Sequence, residues 1–238
     1  MNLFTRPPQL TTAVTDLMIG IFAAYFIIRM KGISEPRKRR KTIWKAFMWT
    51  MLASGLGGFF IHGFRISDRV VAFAWFLLIF IMFATASTYA MAVLYELLED
   101  AKLKKMVYIL IVLNMAGYIV TLIASRYTSK FLAVFVIYAG ILMLASLVLL
   151  AFMIIKRKAY YCLYLMAGAV LQVAGGVVEA CRTARFTLIW EFDFNSIYHL
   201  ATVASIIFFL MAYKAGALLY CRKNIVYAAN NKEEGIGC

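Results

Sequence analysis

Only two histidines occur in the chain, His62 and His199, and each falls within or at the edge of a long apolar segment. An ionisable side chain in such a setting is costly and marks function by default. Neutral imidazole is the commonest transition-metal ligand, and histidine also carries protons near neutral pH. A catalytic Zn²⁺ typically takes three protein ligands, so two histidines leave one missing. Asp16 and Glu179, at the edges of two other apolar segments, are the candidate catalytic carboxylates. Either would complete a His₂–carboxylate set of the kind that holds zinc in hydrolases. Each of these residues also has a plainer reading. His62 serves equally as an interfacial histidine bonded to a carbonyl or headgroup. Asp16 suits the positive end of the first helix, and Glu179 can pair with Arg182, three residues on. Asn195, four residues before His199 and on the same helix face, reads as an N-cap. Glu191 and Asp193 read as solvated loop charges.

The elements that must position these groups follow from composition. The chain is 64% hydrophobic over 238 residues, with a mean hydropathy of +0.84. That is far above the roughly 45–50% of a soluble domain, so lipid must be the solvent for most of its surface. The net charge of +14 does not point to nucleic acid, because the basic residues sit in short loops between apolar segments. That is the topogenic pattern, with attraction to anionic lipid. Cys162, Cys181, Cys221 and Cys238 lack C-x-x-C spacing, and no disulfide framework is expected. Cys221 reads as an inert thiol beside the membrane.

Stretches of about 20 apolar residues are needed to cross a hydrocarbon core. Seven are expected, at 11–30, 42–64, 69–97, 104–125, 130–155, 159–181 and 196–220, forming one α-helical domain over 1–227. Residues 228–238 are expected as a disordered cytosolic tail. The strongest basic run, Arg37-Lys38-Arg39-Arg40-Lys41, marks an inside loop, as do Lys102–Lys105, Lys156–Lys158 and Arg222–Lys223. The N-terminus is therefore expected outside and the C-terminus in the cytosol, most simply at the plasma membrane. Asp16, His62, Glu179 and His199 then share the outer level, where a small water-accessible cavity is expected. Gly55, Gly57 and Gly58 ahead of His62 read as a close helix-packing face, and Trp49, Trp75, Trp190 and Tyr198 as interfacial or core aromatics. Lys214 on the last span lies near the inner end and can snorkel, and span three lacks a central counter-ion, so retinal is not expected.

The segment Gly55-Leu56-Gly57-Gly58-Phe59-Phe60-Ile61-His62 resembles the second-span motif of the alkaline ceramidases. Phe194-Asn195-Ser196-Ile197-Tyr198-His199 is similar to their seventh-span segment, and Thr12-Ala13-Val14-Thr15-Asp16 to their polar stretch in span one. That family belongs to a seven-span superfamily with the adiponectin/progestin receptors. The resemblance implies an intramembrane zinc on three histidines, with a nearby serine and aspartate, hydrolysing a lipid amide through a metal-activated water. His62 and His199 match two of the histidine positions. Asn195 stands at the third, Gly58 at the serine, and the outer half of span three has no aspartate. Asparagine is a poor zinc ligand, so either Asp16 or Glu179 completes an altered metal site or the metal has been lost. The first reading is a metal-dependent lipid amidase or related hydrolase acting on a lipid-like substrate. The alternative is a non-catalytic receptor, sensor or lipid-binding protein, and a small transporter is the third.

Overall fold

The computed structural model describes residues 7–98, 100–127, 132–182, 184–187 and 191–231. Each of the seven expected apolar segments lies on a helix: α1 (Pro7–Lys31), α2 (Lys38–Gly63), α3 (Asp68–Leu97), α4 (Asp100–Ala124), α5 (Leu132–Arg157), α6 (Cys162–Cys181) and α7 (Phe194–Asn231). Six of them are long and apolar enough to cross a membrane, which makes this a multi-pass helical membrane protein. The helix outside those six is α2, whose run is interrupted by Thr50, Ser54, three glycines and His62. Its buried stripe, Arg40, Trp44, Phe47, Met48, Met51, Gly55 and Gly58, recurs every three to four residues and faces protein.

The helices close into a ring in the order α1, α2, α3, α5, α6, α7, with α7 returning to α1, and α4 lies outside the seam between α3 and α5. An aromatic cluster from four of them fills the ring: Phe26 of α1, Trp44 and Phe47 of α2, Tyr89 of α3, and Phe209 and Tyr213 of α7. Ser87 of α3 donates to Asn114 of α4 at 2.9 Å and lies 2.6 Å from the Tyr138 hydroxyl of α5, tying α4 to the ring. The rest of α4 presents apolar side chains such as Ile111, Val112 and Val120 outward, as a lipid-facing helix should.

The expectation of an all-helical chain needs one correction. Between α6 and α7, β1 (Phe186–Thr187) and β2 (Glu191–Phe192) form a short antiparallel ladder, with Phe186 and Phe192 rings stacked at 4.9 Å. Trp190 lies outside the described residues. α7 continues as helix to Asn231, past the expected start of the tail at residue 228; residues 232–238 lie outside the described residues.

One end of the ring is locked by ions. Arg40 is fully buried. It pairs with Glu35 and donates to Glu96 at 2.6 Å and to the Tyr213 carbonyl at 3.0 Å. Arg37 meets Glu35 at 2.9 Å, and the Tyr161 hydroxyl donates to Glu96 at 2.9 Å. Burial pushes the Glu35 carboxyl up, but the Arg37 and Arg40 guanidiniums more than offset this and hold it below the usual carboxylate range. Read from sequence as one of a row of loop charges, Arg40 instead fastens the α1–α2 loop, α2, α3 and α7 together.

Candidate functional site at the histidine end

The opposite end of α2 builds the site. From Arg40 to Gly58 the helix rises about 27 Å at about 1.5 Å per residue, and there α1 and α2 touch backbone to backbone. A Cβ on Gly55 would lie 2.6 Å from the Gly20 nitrogen and 2.7 Å from the Asp16 carbonyl. Only glycine permits that approach. One turn further on, a Cβ on Gly58 would meet the Asp16 carboxylate at 2.5 Å. The position where the resembling family has serine is thus kept empty, and the Asp16 side chain occupies the space.

Asp16 is buried, and its Oδ1 lies 3.4 Å from His199 Nε2, while Oδ2 has no hydrogen-bond partner. The other ring nitrogen of His199, Nδ1, is 3.1 Å from the Thr15 hydroxyl. Thr15 has one hydrogen to give, and its shortest acceptor is the Thr12 carbonyl at 2.8 Å. With its hydrogen given to Thr12, the Thr15 hydroxyl offers a lone pair to Nδ1, and Nε2 faces the Asp16 carboxyl group.

Asp193 corrects a sequence expectation. It is no solvated loop charge: its Oδ1 accepts from the Ser196 backbone nitrogen at 2.9 Å, from the Ser196 hydroxyl at 2.8 Å and from Thr12 at 3.2 Å. It caps α7 and joins that helix to α1. Asn195 is therefore not the cap. With its amide nitrogen turned toward α6, it donates to both carboxylate oxygens of Glu179, at 2.9 Å to Oε1. His62 packs edge-on against Trp75 of α3, ring centres 5.8 Å apart.

The structure thus brings Asp16 to His199 and Glu179 to Asn195, as two separate pairs. Among the described residues, no group of three or more His, Cys, Asp or Glu side chains converges in a way that could hold a metal ion. In this arrangement the zinc that the resemblance implies would lack a third ligand among the described residues. Asn195 is committed to a carboxylate, and both nitrogens of His199 face protein groups. Lys214 is exposed on the outside of the ring, away from any interior site. Sequence reasoning passed over Thr15, Ser196 and Asp193 as site members. Asp193 had a signal: it immediately precedes the apolar run at Phe194, with a serine at the third helical position.

A family profile of unknown function, DUF6962, matches residues 11–218. The chain belongs to the DUF6962 family. The match spans all seven helices and both members of the Asp16–His199 pair, so the whole ring is the family's unit. No curated protein and no solved structure matches the chain.

Proposed function

We propose that this DUF6962 protein binds a lipid-like ligand at the histidine end, by hydrogen bonds and without a metal, in the manner of a receptor or sensor. One observation carries the reading. The Asp16 carboxylate is buried against Gly58 of α2, with one oxygen against His199 and the other without a partner. A buried polar group left unmade costs about 1–3 kcal/mol, and a donor from a ligand, such as an amide N–H or hydroxyl, recovers it. The hydrolase reading is the weaker of the two, because among the described residues neither Asp16 nor Glu179 completes a three-ligand set with His62 and His199. The finer membrane plan belongs to the same proposal: seven spans counting α2, the arginine end in the cytosol, the N-terminus outside and the plasma membrane as location. The basic residues at Arg37–Lys41, Lys156–Lys158 and Arg222–Lys223 support that orientation. Kinship with the ceramidase and adiponectin/progestin receptor superfamily rests on the Gly55–His62 and Phe194–Thr202 segments.

The test is photolabelling of the detergent-purified protein with a photoactivatable long-chain N-acyl amide. We expect the label on α1 and α7 peptides near Asp16 and His199. Asp16→Asn should reduce it about tenfold or more, the scale of one charge-assisted hydrogen bond. Equal labelling of both proteins, or labelling confined to the lipid-facing α4, would overturn the proposal.

A further inference from the structure

The arginine end carries a cavity of about 230 Å³ beside the buried ion network. Its polar side is formed by Arg37, Arg157, Glu96 and Tyr161, and its apolar side by Met153 and Leu219. Three guanidiniums, Arg37, Arg40 and Arg157, gather here against two carboxylates, Glu35 and Glu96, leaving one positive charge in excess. The excess has an address. Arg157 donates to the neutral Leu97 carbonyl at 3.2 Å, and among the described residues no carboxylate lies within ion-pair distance of it. A second donor lacks an acceptor behind the cavity wall, where it adds positive potential without lining the cavity. Arg40 Nη2 is fully buried without an acceptor and lies against Gly216, itself a wall of the cavity, where a Cβ would approach it to 2.6 Å.

We propose that this cavity binds the phosphate of an anionic glycerophospholipid from the adjoining leaflet. Guanidinium forks bind phosphate oxygens in pairs; the Arg37 fork is held by Glu35 and lies 4.6 Å from the Tyr220 ring centre, so Arg157 is the fork left to take the phosphate. The cavity is smaller than the roughly 300 Å³ at which drug-sized pockets begin, so it admits a headgroup and leaves the acyl chains outside. Leu219, more than half exposed, lines the cavity and also faces outward, where those chains would lie. Neighbouring exposed bases such as Lys156 concentrate anionic lipid at this surface, but they do not line the cavity.

The test is a binding titration of the purified full chain in neutral detergent with dioctanoyl phosphatidic acid, dioctanoyl phosphatidylcholine and inorganic phosphate. We expect phosphatidic acid to bind at least about tenfold more tightly than either of the others. Arg157→Gln should weaken it about tenfold, with Arg157→Lys intermediate and Lys156→Gln unchanged. Leu219→Trp, an exposed substitution that crowds the cavity mouth, should also weaken binding and covers the case in which Arg157→Gln fails to fold. Equal binding of phosphatidylcholine, equal binding of free phosphate, or equal losses in Lys156→Gln and Arg157→Gln would each overturn the proposal.

Discussion

The two ends of α2 bury charge in opposite ways. At the arginine end, Arg40 reaches two carboxylates and a carbonyl, and Glu96 also accepts from Tyr161. At the histidine end, Asp16 has one partner at 3.4 Å and one oxygen with none. A buried polar network that is nearly satisfied fixes geometry, whereas one left short of partners is costly unless something else completes it. The buried core of the first therefore acts as a clamp, with the proposed lipid cavity at its edge, whereas in the second the buried pair is itself the site.

The largest effect that sharpens this contrast is expected at the clamp. Arg40→Ala removes the buried partner that Glu35 and Glu96 share, leaving them only Arg37 and Tyr161, and should cost about 3–5 kcal/mol, the range for breaking a buried ion pair, read as a lower melting temperature in detergent. A smaller loss there than from Asp16→Ala would erase the distinction. Gly55→Ala forces α1 away from α2 and should cost about 1–3 kcal/mol by overpacking, visible in the same melts and weakening the site with it. Acid should act on the clamp through Glu35. Its folded-state pKa is depressed, so its contribution is complete above the unfolded value near 4.5 and is lost as pH falls through the folded value. Melts of wild type between pH 7 and pH 3 should decline more steeply than those of Glu35→Gln; parallel curves would remove Glu35 from the clamp. The smallest effect is Asp193→Ala, about 1 kcal/mol for a lost N-cap, with α7 amides near Ser196 exchanging hydrogen faster.

Much of the fold was legible because lipid imposes a simple rule, and seven apolar runs duly lie on seven helices. The ring order was not legible, since apolar helices look alike from every side and only paired polar residues such as Ser87 and Asn114 distinguish neighbours. Arg40 shows why charge is ambiguous. In sequence it is one of five consecutive basic residues, yet it falls in helical phase with Trp44, Phe47 and Met51, and phase is what buries it. At the candidate site, the depth shared by Asp16 and His199 could be read in advance. Their pairing could not, because it depends on Gly58 leaving room for a carboxylate. Glu179 and Asn195 were expected to help complete a metal set or to cap a helix, and instead satisfy each other.

The central claim is that the histidine end recognises its ligand through the Asp16–His199 pair and needs no metal. The direct measurement is the affinity of the wild-type protein for the N-acyl amide probe before and after exhaustive chelation. Unchanged affinity after chelation, with a loss of about tenfold or more in Asp16→Asn, is the result expected. Affinity that disappears on chelation and returns with zinc would contradict it.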